Sequence, residues 1–588
     1  MSRAARLDAR LLPYLAAGVV LFGLLAGRNA TLVQAGTYAA IYAVAAIGLS
    51  LLLGNLAQIS LGQAGFFGIG AYTGGYLMTS VAWPAALGPG LQFVLATLLG
   101  VALAAALGLV LGFIALRFRG HYLAMATLAF GLLCVGVFRE SKALGGASGI
   151  QGVPFPQFGS IAISGTAAFW YAWLMVALAA FFTRNLLLGR TGRAFEAIRN
   201  DELAAEALGV PTRRCKILAF AFAGALAGFA GSFYVTYLGL VEPNAVGISL
   251  SIDLLLMVVL GGAGGIAGAI AGATLIGIAN IYGHDLENWR PVIYGVLVIL
   301  IVVAFPRGLS GMVPLPRSRD ARVRPASAAD ALPVQASVAA CETCLRVEDA
   351  GKSFGGLVAL DGVAFALENG TLNSLIGPNG AGKTTLFNAI CGIGPLERGR
   401  IFVAGRDVTA WQPHRIAALG VGRSFQNARL FGEMSVLENV TLGAYTLERA
   451  TFTSDLLGLP TSRRSGKLAL QRARDVLELL ELGALAGTIA GDLAFGDRRR
   501  VELARAIASR PGLLLLDEPA AGLNAAERGR LRGDLLRLKR AGATILLVEH
   551  DMRLVMEISD RVLVLHFGRL IADGPPAAVR NERRVMSA

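Results

Sequence analysis

The chain has 588 residues, enough for several domains, with 55% hydrophobic residues, a formal charge of +14 and a mean hydropathy of +0.61. These figures average two unlike materials: up to about Pro316 charges are sparse and apolar runs recur, and the rest has the composition of a water-soluble α/β domain. The arginine excess does not point to nucleic acid, because it gathers in short loops between apolar runs (Arg117 and Arg119, Arg184–Arg199, Arg213 and Arg214, Arg317–Arg324), as the positive-inside rule requires.

A membrane span needs about 17–25 apolar residues. Candidate spans lie near 11–27, 31–53, 60–80, 92–116, 121–139, 166–183, 218–240 and 291–305, with a longer apolar stretch at 250–282. As one helix that stretch would be near ~50 Å long, too long for a ~30 Å hydrocarbon core. Gly261-Gly262-Ala263-Gly264-Gly265 offers a natural break into two short spans. Arg3, Arg6 and Arg10 place the N-terminus on the cytoplasmic side, and the basic loop 184–217 and the long C-terminal part belong there too. Ten spans satisfy all three conditions; eight do so if glycine-rich segments such as 60–80 are re-entrant. The first run, Leu11–Gly27, lacks a small-residue cleavage site and is expected to be a span, not a leader. Most glycines of 60–80 are expected to serve close helix packing. Polar groups are costly inside spans, so Gln63 and Asp253 are taken as candidates for lining a solute pathway.

The basic loop continues as 189–216, where Glu202–Leu208 has helix-forming composition and Gly209 and Pro211 stop the helix. A short amphipathic helix on the inner face is what a soluble motor would grip, and Glu202, Ala205, Glu206 and Gly209 are its coupling residues. Residues 313–344 are rich in Pro, Ala, Ser and Arg and read as a flexible tether. Cys341 and Cys344 form a CxxC within it, without a second pair or a histidine cluster, and are expected to be reduced and incidental.

Three motifs carry chemistry beyond the tether. Gly377-Pro378-Asn379-Gly380-Ala381-Gly382-Lys383-Thr384-Thr385 lies between a short strand (371–376) and a helix (384–390). In such a phosphate-binding loop the backbone N–H groups and the helix N-terminus face phosphate oxygens, Lys383 reaches the outer phosphates, and the Thr384 hydroxyl is placed for Mg²⁺. The run Leu513–Leu516 reads as a buried parallel strand ending in Asp517, a magnesium ligand, and Glu518, a general base for the attacking water. A third strand, 545–548, ends at Glu549-His550-Asp551, putting His550 at a strand edge beside the γ-phosphate.

On these residues the C-terminal part resembles the ATP-binding subunit of ABC transporters over nearly all of 345–580. The resemblance implies that Phe354 stacks on adenine, that Gln426 senses Mg²⁺ and the permease, and that His550 is the switch histidine. It also places Leu493, Ala494, Phe495, Gly496 and Asp497 at the signature that meets a partner's ATP, followed by a helix with Glu502 and Arg505. FGGLVAL (354–360), GRSFQNARLF (422–431) and AAGLN (520–524) are similar to the ATPase of the branched-chain amino acid importers, and SLGQAGFFGIGAYTGG (60–75), RGHYLAMATLAFG (119–131) and YGVLVILIVVAFPRGL (294–309) to one of its permeases. The expected organisation is an all-α polytopic permease at 1–312, a tether at 313–344, an α/β P-loop NTPase of ABC type at 345–580, and a tail at 581–588. The resemblance further implies ATP and Mg²⁺, a second permease, a second ATPase, a periplasmic solute-binding protein, an amino-acid cargo, and a bacterial inner membrane with the ATPase cytoplasmic. Ala494 departs from the usual serine; losing one charge-assisted hydrogen bond costs about 1.5–3 kcal/mol and would make the composite site using this signature the weaker one. Asp497 stands where glutamine is commoner, and Asn524 replaces an aspartate. An exporter half-transporter and a membrane-anchored regulatory ATPase remain open alternatives. A soluble ATPase acting on ribosomes or DNA is excluded by the spans.

Overall fold

The structure, a computed structural model, describes residues 3–26, 29–84, 86–118, 120–158, 161–282, isolated positions between 292 and 312, 343–426 and 428–582. Contacts divide the chain into two units. The first comprises Met1–Arg199, Arg213–Pro316 and Phe452–Leu459; the second comprises Asn200–Thr212, Arg317–Thr451 and Pro460–Ala588. Residues 200–212 and 452–459 are thus exchanged between the sequence stretches 1–312 and 345–580.

The first unit is helical: α1 (Arg3–Ala26), α2 (Ala30–Ser50), α3 (Gln63–Thr79), α4 (Pro89–Ala115), α5 (His121–Glu140), α6 (Gly165–Leu188), α7 (Arg190–Asn200), then, beyond α8 (Glu202–Ala207) of the second unit, α9 (Thr212–Leu238), α10 (Ile248–Gly261) and α11 (Ile266–Tyr282). Six helical stretches among the described residues are long and apolar enough to cross a membrane, and Arg10–Leu24 and Ile266–Asn280 are shorter apolar helices. Span 291–305 lies largely outside the described residues. Small residues let the backbones touch, as expected of helices packed in lipid. A Cβ on Gly70 of α3 would fall 2.0 Å from the Gly228 carbonyl oxygen of α9.

Two breaks interrupt the spans, and each exposes backbone that must be satisfied without water. The apolar stretch 250–282 is split where expected, with Gly262 and Gly264 at φ 102° and 95° between α10 and α11. The first-turn amides of α11 are then capped by Asp8 of α1, whose carboxylate accepts from the N–H groups of Ile266 (3.1 Å) and Ala267 (2.8 Å). The other break follows α2, which widens into a π-helical turn at Leu51–Asn55 before Ala57 adopts φ 53°. Beyond it the Leu61 N–H donates to Thr127 Oγ1 (2.9 Å) and the Ala64 N–H to Ser251 Oγ (3.3 Å).

In the second unit a six-stranded sheet forms the centre. With β1 (Thr343–Phe354), β2 (Leu357–Glu368), β3 (Leu372–Ile376), β4 (Arg398–Val403), β5 (Arg406–Asp407), β6 (Val421–Arg423), β7 (Leu513–Asp517), β8 (Thr544–Val548), β9 (Arg561–His566) and β10 (Arg569–Gly574), its order is β6-β7-β8-β3-β9-β10. All neighbours are parallel except β9 and β10. A second sheet, β2-β1-β4-β5, is antiparallel. The continuous leucine run of β7 follows from burial on both faces. Leu514 and Leu516 join Ile545 and Leu547 in one core, while Leu513 and Leu515 join Leu546, Val548 and Leu375 in the other. Each such leucine contributes about 1.5–3 kcal/mol of burial. The loops after β3, β6, β7 and β8 therefore leave a rigid sheet at its carboxyl edge.

Candidate functional site

Those loops carry the residues singled out by sequence. After β3 the phosphate loop turns through Gly377–Gly382 into α12 (Lys383–Ile390). Gly382 has φ 102°, and a Cβ there would lie 2.3 Å from the Ala359 carbonyl, so both the turn and the packing demand glycine. Pro378, Asn379 and Gly380 are exposed at the loop tip, Ala381 is buried beneath it, and Thr384 and Thr385 open α12, Thr384 exposed. The Lys383 ammonium donates to the carbonyls of Gly377 (2.8 Å) and Pro378 (2.9 Å). Burial lowers the Lys383 pKa, and the charges of Glu518 and Asp517 oppose that shift.

Asp517 ends β7 at 2% exposure, with Oδ1 buried and without a hydrogen-bond partner. Burial raises its pKa, Arg423 counteracts, and Glu518 adds to the rise. Glu518 follows at φ 49°, its N–H donating to the Val548 carbonyl at 2.9 Å. That unusual backbone aims the side chain at two loops. Oε1 lies 2.8 Å from His550 Nε2, and Oε2 accepts from Gln426 Nε2 at 3.3 Å. Glu518, His550 and Gln426 are therefore brought together beside Asp517, and Lys383 feels both carboxylates. Phe354, at the end of β1, is 56% exposed. The signature residues lie on a separate element: Leu493 precedes Ala494, the N-cap of α17 (Phe495–Ala508), while Phe495, Gly496 and Asp497 form its first turn. (The helices between α12 and α17 are α13, Pro413–Ala418; α14, Val436–Gly443; α15, Phe452–Leu456; and α16, Pro460–Leu479.) Ala494 makes no side-chain cap.

Sequence reasoning gave no role to the groups that hold this constellation. Glu549 tethers it from below: Oε1 accepts from the Ala520 N–H (2.7 Å) and Oε2 from the His550 N–H (3.1 Å). The three arginines 498–500 look like a solvated helix face, yet Arg499 and Arg500 are each 7% exposed. Arg499 donates to the carbonyls of Phe425 (2.9 Å) and Gln426, and Glu502 accepts from the Phe425 N–H at 3.0 Å. Arg505 donates to the Arg429 carbonyl at 2.6 Å. Helix α17 thus grips the Gln426 loop by its backbone.

The loop's far end meets the segment 200–212. Arg429 pairs with Asp201 at 2.8 Å, and Asp201 also caps α8 through the Ala204 N–H at 3.0 Å. Helix α8 packs on α13, with Ala205 wholly buried and Glu202 half-buried. Glu206 accepts from the Thr212 hydroxyl at 2.5 Å, and Gly209 ends the helix at φ 90°. In the first unit Gln63 is wholly buried; its Nε2 donates to the Ala223 carbonyl (3.0 Å) and its Oε1 has no hydrogen-bond partner. Asp253 is half-buried on α10.

A phosphate loop, an acidic strand end, a polar trio and a separate signature helix on one doubly covered sheet define an ABC-type ATPase, joined here to a helical membrane unit. Residues 31–304 match the family model described as the permease component of branched-chain amino acid transport systems, and residues 360–521 match that of ABC transporters. The high-affinity branched-chain amino acid transport ATP-binding protein BraF of Pseudomonas aeruginosa is 42% identical over 245 residues, 42% of this chain and 96% of that protein. LivG of Salmonella typhimurium, with the same description, is 43% identical over 236 residues, 40% of this chain and 92% of that protein. Among solved structures, a nucleotide-free ATP-binding cassette from an ABC transporter is 31% identical, with 42% of this chain and 97% of that one covered and a TM-score of 0.37. The chain belongs to the branched-chain amino acid ABC transporter family, with permease and ATPase fused in one polypeptide. It is a membrane protein whose nucleotide-binding domain couples ATP hydrolysis to transport.

Proposed function

We propose that the chain drives uptake of branched-chain amino acids across a bacterial inner membrane, with its N-terminus and ATPase in the cytoplasm. The observation that carries the reading is the convergence of Glu518, His550 and Gln426 on one edge, continued through Arg429 to the capped helix α8. The phosphate loop 377–385 holds the triphosphate and Phe354 the adenine. Glu518 takes a proton from the attacking water, and His550, hydrogen-bonded to it, orients it and contacts the γ-phosphate. The buried, unpartnered Oδ1 of Asp517 and the exposed Thr384 hydroxyl suit a hard cation. Thr384, Gln426 and Asp517 would hold Mg²⁺, which neutralises charge on the phosphate oxygens when bound.

Residues 493–497 complete a site on a second ATPase subunit, and Ala494 makes that composite site the weaker one. A second permease and a periplasmic solute-binding protein complete the transporter. Glu202, Ala205, Glu206 and Gly209 transmit the movement, and Gln63 and Asp253 are the candidates for the cargo path. Uptake of labelled leucine by proteoliposomes holding these components tests the reading. ATP hydrolysis without accumulation of leucine, isoleucine or valine would refute it and favour a regulatory ATPase.

A further inference from the structure

Helix α15 belongs by sequence to the ATPase stretch, but its contacts belong to the first unit. Asp455 is 1% exposed there, and its Oδ2 accepts both the Thr191 N–H (2.8 Å) and the Thr191 hydroxyl (2.7 Å). Thr191 is the second residue of α7, and its amide is one of the first-turn donors that no carbonyl of that helix can reach. A carboxylate also suits the positive end of a helix. The N-terminal cap of α7 is therefore supplied by a residue 264 positions away. The fit is close: a Cβ on Gly189 would fall 2.4 Å from Asp455 Cγ, and the Phe452 ring meets Phe222 of α9 edge-on at 6.5 Å.

Helix α7, ~16 Å long by its rise per residue, runs straight into Asp201, the residue held by Arg429. A side chain from the ATPase stretch, Asp455, thus holds the helix at its first turn.

We propose that Asp455 is a positioning residue for transport. It fixes the start of α7 to the segment 452–459 of the ATPase stretch, so that movement of that stretch is passed to the first turn of α7. This rests on the importer reading above, and the test separates the two. The full chain with its partner subunits is reconstituted, and ATP hydrolysis, leucine uptake and amide exchange are followed in wild type, Asp455→Ala, Asp455→Asn and Gly189→Ala. Expected are hydrolysis within twofold of wild type and at least a fivefold fall in leucine moved per ATP for Asp455→Ala. Gly189→Ala, which displaces the carboxylate without removing it, should behave alike, and Asp455→Asn, which keeps an acceptor, should recover part of the ratio. An unchanged ratio, or hydrolysis and uptake lost in parallel, overturns the proposal. A wild-type complex that hydrolyses ATP and moves no leucine fails the importer reading instead. Exchange then decides: the MgATP-induced change in α9 amides should be at least fivefold smaller in Asp455→Ala, and equality with wild type overturns the inference.

Discussion

Replacing Glu502 with glutamine removes one buried charge and almost no volume, so its effect isolates the electrostatics of the grip on the Gln426 loop. The Glu502 side chain is 1% exposed, Arg505 lies 3.9 Å away at 1% and Arg499 3.6 Å away at 6%. Glutamine keeps an acceptor for the Phe425 N–H but takes from two buried guanidiniums the carboxylate they share, leaving Arg505 the charge of Asp201 and Arg499 that of Asp517. Breaking a buried pair in this way costs about 3–5 kcal/mol. At about 2–4 °C per kcal/mol for a domain of this size, the ATPase transition should fall by roughly 6–20 °C. Scanning calorimetry of the full chain in detergent reads this as the transition that MgATP shifts. Replacing Glu502 with methionine and Arg505 with leucine together should return much of the stability, because most of the uncompensated charge leaves with the pair. Hydrolysis should stay low in that double variant, since Phe425 and Arg429 lose their anchors. A Glu502→Gln transition within 2 °C of wild type would refute the reasoning.

Glu518→Gln should lower hydrolysis in the assembled complex by about 10²–10⁴-fold while ATP is still bound, measured as turnover and as retained labelled nucleotide. Asp517→Asn should stabilise the protein without nucleotide at pH 7 by about 1–3 kcal/mol, the scale of a buried unsatisfied group. The sign follows from its raised pKa: the folded state keeps the proton to higher pH than the unfolded chain, so the cost is present above the folded pKa and gone below 3.8. Unfolding midpoints at pH 7 and pH 3 should therefore differ between variant and wild type only at the higher pH. Arg429→Ala should cut leucine uptake per ATP several-fold while leaving the Asp201 cap on α8 in place. The pair it breaks is partly exposed and contributes only about 0.2–1 kcal/mol, so the melting temperature should barely move.

Much of the fold was legible because local chemistry reports it. The apolar runs 513–516 and 545–548 could only be parallel strands buried on both faces, and Gly262 and Gly264 marked the break that divides 250–282. Helix α8 was legible too, from composition and the glycine that ends it at φ 90°. The phosphate loop, Asp517, Glu518, His550 and Gln426 were visible as residue types at strand ends. What supports them was not, because the contacts join positions far apart in sequence. Asp8 capping α11, Asp455 capping α7 and Arg499 gripping Gln426 are each made across 70 residues or more. Polar residues at such positions read as solvated until the partner is known.

Glu518 occupies the left-handed region at φ 49°, which costs a residue with a Cβ about 1–3 kcal/mol. Asparagine or glycine would sit there more comfortably, and neither would serve as a base. With Glu518 in its proposed role as base, such a substitution would give a sturdier molecule with slower hydrolysis, so folding and chemistry pull in opposite directions at residue 518.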